Sequence, residues 1–213
     1  MARSGRAASG LVSVLMILVL AGCGSSSDSG AVTGVSSSDD DGYNGIFLHH
    51  DAYAVPDVTL TDTEGKPFDL AKQGRRTLVF FGYTNCPDVC QVVMSTIASA
   101  MTRLSDAERK RLQVAFITTD PARDTRSALR TYLDRFDPSF VGVTGPLKQT
   151  KALAKPMDIF IEHGKKLPSG GYDVNHGTVV VAVENAAGDL VWTAGTSPAD
   201  MAEDLEKILA ADS

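Results

Sequence analysis

Residues 77–91, TLVFFGYTNCPDVCQ, carry an unbroken apolar run directly into two cysteines four positions apart. The run 77–83 has the length and composition of a strand buried on both faces. Beyond it, Val92, Val93, Ile97, Ala100, Met101 and Leu104 recur at helical spacing, which predicts a helix from Asp88 onward. Pro87 suits its first turn, where a missing N–H costs nothing. Cys86 and Cys90 therefore stand where a strand becomes a helix, and the free N–H groups and positive dipole end there favour thiolates. Cα atoms four apart in a helix lie within about 7 Å, so a disulfide is feasible. Two thiolates are equally good ligands for a soft ion such as Cu(I), with Zn(II) as competitor. A structural staple, a redox dithiol and half of a metal site all fit this stretch taken alone.

The flanking segments predict an α/β fold. Residues 55–70 read as a hairpin turning at Glu64-Gly65-Lys66-Pro67, and 112–119 as a second buried strand. Residues 124–136 form an amphipathic helix opened by a capping Asp124 or Thr125, and 140–145 a short strand followed by a helix from Pro146 to about Lys155. A strand is expected around 158–162, then a Gly/Pro-rich loop, then a hairpin over 178–195 turning between Asn185 and Asp189. The last helix opens with Ser197 as N-cap and Pro198 at its first position. Together these make a mixed central sheet flanked by helices, with an N-terminal β-hairpin. Reactive groups in such sheets gather beyond the carboxyl ends of parallel strands, which is where Cys86, Cys90 and Asp120 fall.

The ends of the chain set the compartment. Arg3 and Arg6 precede the apolar run 11–20 and the sequence Leu20-Ala-Gly-Cys23, the pattern of a secretory signal. The run is too short for a membrane span of about 20 residues. Leu-Ala-Gly-Cys also resembles the lipobox of bacterial lipoproteins, so residues 1–22 are expected to be a lipoprotein signal peptide and Cys23 the lipidated first residue. Residues 23–44, rich in Gly, Ser and Asp, read as a flexible linker, and 45–213 as one domain. The expected location is the extracytoplasmic face of a bacterial plasma membrane, held by the lipid anchor. Removing residues 1–22 takes two of the 20 basic residues and none of the 26 acids, moving the net charge from −6 to −8. Such an acidic chain is not expected to bind nucleic acid.

With Cys23 lipidated, Cys86 and Cys90 are the two remaining thiols of the three cysteines, outside the cytoplasm where disulfides persist. A staple closing a loop of about five residues contributes only about 2 kcal/mol, against about 4.7 for a loop of 100. That argues for chemistry over scaffolding. Thioredoxin-type oxidoreductases usually place two residues between their cysteines; this chain places three. A third ligand beside the dithiol decides for metal, and His176, in YDVNHGTVV just before the last hairpin, is the histidine placed to supply it. In a thioredoxin-like sheet that junction faces the dithiol helix. A Cys-Cys-His set suits trigonal Cu(I), whereas structural Zn(II) wants a fourth ligand. His49 or His50 could supply that fourth ligand, but the pair precedes the first hairpin and reads as solvated, and His163, in a polar stretch, has the same surface reading. Met94 and Met157 read as core.

FFGYTNCPDVC at 80–90, TTDPARDT at 118–125 and YDVNH at 172–176, in that order, resemble the Sco family, copper chaperones of cytochrome c oxidase assembly. The resemblance covers about residues 55–210 and implies a thioredoxin-like fold. It implies Cys86, Cys90 and His176 as copper ligands, Cu(I) favoured and Cu(II) accommodated, with Cys86 and Cys90 able to form a redox-active disulfide. Asp120, Arg123 and Asp124 would support the site, Arg123 by pairing with a carboxylate. Two positions depart from the family pattern: Gln91 replaces the Pro that commonly follows the second Cys, and Asn175 the Asp that commonly precedes the His. Asn175 removes a negative charge beside His176. The implied partners are the oxidase subunit carrying the dinuclear copper site and an upstream copper donor.

The expected role is thus a metallochaperone and not an enzyme. The alternative is a thiol–disulfide oxidoreductase keeping the oxidase copper-site cysteines reduced. A peroxidase reading, with Cys86 attacking peroxide beside Thr84 and Arg123, and an inert lipoprotein reading have less in the sequence to support them.

Overall fold

The structure, a computed structural model, describes residues 42–166 and 172–212. The signal peptide, Cys23 and nearly all of the linker lie outside those residues. Among the described residues no helix is long and apolar enough to cross a membrane.

In chain order the elements are β1 (Ile46–Phe47), β2 (Tyr53–Ala54), β3 (Thr59–Asp62), β4 (Pro67–Asp69), β5 (Arg76–Gly82), α1 (Val89–Arg103), α2 (Asp106–Arg111), β6 (Leu112–Thr118) and α3 (Arg126–Leu133). There follow β7 (Val141–Thr144), α4 (Leu147–Ala154), β8 (Ile161–Lys166), β9 (Tyr172–His176), β10 (Val179–Glu184), β11 (Ala187–Thr193) and α5 (Pro198–Ala211). One mixed sheet runs in the order β1-β11-β10-β5-β6-β7-β3-β4, with β2 also on β11, while β8 and β9 form a separate two-stranded ribbon. β5 pairs parallel with β6 and β6 with β7; β10 pairs antiparallel with β5.

Burial explains why the central strands read as continuous apolar runs. Every residue of β5 is buried, and Phe80, Phe81, Phe116, Ile117 and Trp192 are wholly enclosed. Each side chain of that size contributes about 1.5–3 kcal/mol by leaving water. The β3–β4 hairpin turns as expected, with Gly65 at φ +88°, a conformation that suits glycine. The β10–β11 hairpin turns through Asn185 and Ala186, both at positive φ, as a tight antiparallel turn demands. Ser197 accepts from Asp200 N–H and Pro198 opens α5, as the sequence predicts.

Four local expectations are corrected. α1 begins at Val89, with Asp88 as its N-cap accepting from the Val89 N–H, so Cys86 and Pro87 lie in the turn before the helix. Val92 points outward, 55 % exposed, although it fits the apolar period. The strand expected at 158–162 is β8, displaced toward 166. The chain is already anchored at Tyr43 and Asn44, two residues inside the expected linker: Tyr43 stacks on Phe47, and the Asn44 N–H donates to Asp204 at 2.8 Å. Buried Asp204 also accepts from Trp192 Nε1 at 2.7 Å and Gly45 N–H at 2.8 Å, which ties the first strand to β11 and α5.

At the far end of β5, Arg76 is 3 % exposed and gathers three carboxylates. Its guanidinium donates to Asp189 at 2.7 Å, Glu184 at 2.8 Å and Asp212 at 3.1 Å. One cation therefore joins β5, β10, β11 and the end of α5.

Candidate metal site

β5 ends at Gly82, where the backbone passes close to a core ring: a Cβ there would sit 2.9 Å from Phe116 Cε2. The chain then turns through Tyr83–Asp88 into α1. Both cysteines are reduced and buried, Cys86 at 5 % exposure and Cys90 at 0 %. Cys86 N–H donates to the Tyr83 carbonyl at 3.2 Å, and Cys90 N–H donates to Cys86 Sγ at 3.3 Å. The second residue of α1 thus spends a free helix N–H on the other cysteine's sulfur, which favours negative charge there.

The Cys90 thiol fares differently from the expectation for a helix N-terminus. Its hydrogen bond with Cys86, then its burial, push its pKa well up, with the charge of Cys86 adding to both. Dipole and N–H groups favour a thiolate only where water or a donor reaches the sulfur, and Cys90 is enclosed. A soft cation displacing the Cys90 proton would supply the positive charge that its surroundings lack.

The DPARDT segment supports this loop from beneath. Asp124 is 1 % exposed and accepts from Thr84 N–H at 3.0 Å, Thr84 Oγ1 at 2.6 Å and Thr118 Oγ1 at 2.6 Å. It is not the helix cap: Thr125 fills that role for α3, accepting from Ala128 N–H. Arg123 pairs with Asp120, as the sequence suggests, and its guanidinium lies 5.9 Å over the Tyr83 ring. Asp124 therefore clamps the residue two before Cys86 to the end of β6. Hydrogen bonds spanning 40 and 6 positions leave no periodic trace in a sequence, so neither Thr84 nor Thr118 announces itself there as a partner of Asp124.

Burial raises the Asp124 pKa above its ordinary value, against hydrogen bonds from Thr118 and Thr84 that lower it. Across the window between the ordinary and the raised value, the folded state holds more protons than the unfolded state. Stability then falls as pH rises through that window. Asp124→Asn should flatten this slope, and Asp124→Ala, which strands three donors, should cost about 1.5–3 kcal/mol. Urea unfolding between about pH 4 and 7 reads both effects.

His176 ends β9, its backbone opposite Ile161 of β8. Three residues later the chain enters β10, where Val180 pairs with Phe80. Continuing that antiparallel register puts Thr178 opposite Gly82, so His176 arrives at the edge of the sheet from which Cys86 and Cys90 rise. Asn175 pairs with Glu162, and His163 with Val174. The side chains of His176, Asn175 and His163 lie outside the described residues. Among the described residues, no three His, Cys, Asp or Glu side chains cluster as metal ligands. The His49 ring packs edge-on against Phe47 at 4.9 Å, beside β1, in keeping with its surface reading.

A parallel βαβ core with a reduced dithiol at the head of its first helix, followed by an antiparallel hairpin and a closing helix, defines a thioredoxin-like protein with a buried thiol pair. The chain belongs to the SCO1/SenC family, whose model matches residues 49–210. It is 34 % identical over 119 residues to mitochondrial SCO2 of Saccharomyces cerevisiae, covering 55 % of this chain and 40 % of that one. The chain spans 40–60 % of the length of the first curated relatives it matches. Apo Sco1 of Thermus thermophilus superposes with a TM-score of 0.70 at 27 % identity, covering 78 % of this chain and 96 % of that one. ScoI of Bradyrhizobium japonicum, solved with copper bound, gives 0.64 at 26 % identity, covering 72 % and 98 %.

Proposed function

We propose that this chain is a copper-binding protein tethered outside the cytoplasm through lipidated Cys23. It holds copper through Cys86, Cys90 and His176 and passes it to the dinuclear copper centre of cytochrome c oxidase. The observation that carries this reading is the pair of buried, reduced thiols at the head of α1, where the Cys90 N–H donates to Cys86 Sγ. Two soft sulfur donors in a dry setting select Cu(I) over hard cations. The chain's path brings His176 to the same edge, which supports it as third ligand. A three-coordinate ion leaves a face open to an incoming cysteine, so transfer can proceed by ligand exchange. The family's description as cytochrome c oxidase assembly proteins supports the destination.

The same geometry favours one second reading. Cys86 and Cys90 are close enough for the N–H of one to reach the sulfur of the other, and a solved family member is described for a disulfide switch. The dithiol could then reduce the receiving subunit's disulfide, two electrons and two protons passing as Cys86–Cys90 closes.

Mixing the Cu(I)-loaded chain with the copper-free soluble domain of that subunit separates the two. Delivery predicts that copper moves to the subunit and that the chain's thiols remain reduced. Copper that stays put, while the copper-free chain reduces an oxidised subunit, would overturn delivery in favour of the reductase.

A further inference from the structure

Tyr132 presents a buried hydroxyl that no feature of the fold employs. The residue is 2 % exposed, and among the described residues its Oη has no hydrogen-bond partner. A hydroxyl buried without a protein partner is costly, and an acceptor that arrives with a bound ion would offset that cost.

The topology places Tyr132 on the face of the sheet that carries the dithiol helix. β5, β6 and β7 step across the sheet in one direction through parallel connections. Right-handed crossovers of that kind place α1 and α3 on one face. Phe80, Phe116 and Gly142 lie side by side in register on that face, and a Cβ on Gly142 would meet Leu129 and Leu133 of α3. The Tyr132 ring packs on Phe116 at 5.3 Å between centroids, and the Phe116 ring reaches under Gly82, where the dithiol turn begins. Tyr132 thus lies beneath the start of α1, in the layer that holds Cys90.

We propose that Tyr132 is a positioning residue for the metal-bound dithiol, its Oη–H donating to a cysteine thiolate, Cys90 foremost, once copper has displaced the thiol proton. This rests on copper binding by Cys86 and Cys90. A metal-bound thiolate is a charged acceptor, stronger than a neutral thiol. The hydroxyl's cost belongs to the empty state and is recovered in the loaded one, so the residue strengthens copper binding at the expense of apoprotein stability. Burial, then the fields of Cys90 and Cys86, hold the phenol's pKa well above its ordinary value, so it stays a donor.

Tyr132→Phe tests this, because it keeps the ring and removes only the oxygen. The copper-free variant should unfold at the same temperature as wild type or higher. Its Cu(I) affinity, read by chelator competition, should fall about 10- to 100-fold, the worth of a hydrogen bond to a charged group. The thiolate-to-Cu(II) charge-transfer band should move to longer wavelength, since an undonated thiolate is easier to oxidise. Phe136→Leu, which disturbs the same aromatic cluster at 5.2 Å from Tyr132, should lower the unfolding temperature and leave the band in place. Unchanged affinity and an unmoved band in Tyr132→Phe, beside a wild type that holds copper, would overturn this role alone. A wild type that holds no copper would overturn the copper reading and this role with it.

Discussion

Cys90→Ser should abolish tight Cu(I) binding while leaving the fold in place. The substitution exchanges one buried sulfur for an oxygen of similar reach in a residue that is fully enclosed. A hydroxyl does not ionise at neutral pH and is a hard donor, so the ion loses a soft charged ligand and gains nothing comparable. Removing a group that merely orients a ligand already costs about 10- to 100-fold in metal affinity; removing the ligand should exceed that. Cys86→Ser should do the same, and it also deprives the Cys90 N–H of its sulfur acceptor. Competition against a Cu(I) chelator reads the loss, and circular dichroism of each variant establishes that the fold persists. Retention of wild-type affinity by either variant would remove the dithiol from the copper site.

The largest effect on stability is expected at the opposite end of the same strand. Arg76→Ala leaves Asp189, Glu184 and Asp212 facing one another without their shared cation. Breaking a buried ion pair by removing one partner typically costs about 3–5 kcal/mol. The three carboxylates here are 23–29 % exposed, which lets water take up part of the charge and places the expectation near the lower end. Urea unfolding monitored through Trp192, buried in the neighbouring β11, gives the value. The site itself should be spared. Arg76 and Gly82 are six residues apart on an extended strand, about 20 Å, so copper affinity in the folded variant should match wild type. A loss below about 1 kcal/mol would mean that the cluster is solvated and contributes little.

The strand-to-helix junction at 77–91 and the Ser197-Pro198 cap were legible because their causes are local: an unbroken apolar run, and a side-chain oxygen next to a residue without an N–H. Helix α2 has an equally local cause that the reading of the flanking segments does not include. Ser105 and Glu108 form a reciprocal capping box, the pattern that marks a helix start in sequence. What sequence could not supply were the contacts made across the sheet. Asp124 looks like a cap from its position before a helical period, yet its partners sit at Thr84 and Thr118. Cys90 looks poised to ionise from its place at a helix start, whereas its hydrogen bond with Cys86 and then its enclosure work against it. Tyr132 follows the apolar period of α3 and reads as plain core, since nothing in periodicity distinguishes a ring from the oxygen it carries. The candidate ligands Cys86, Cys90 and His176 are proposed from residue chemistry, chain position and the family resemblance.

The most direct test of the copper site is X-ray absorption at the copper edge on the Cu(I)-loaded domain, residues 45–213, with His176→Ala as comparison. The account predicts one copper per chain bound by two sulfurs and one imidazole nitrogen, with the nitrogen shell lost and affinity greatly weakened in the variant. An unchanged spectrum and affinity in His176→Ala would contradict the three-ligand site.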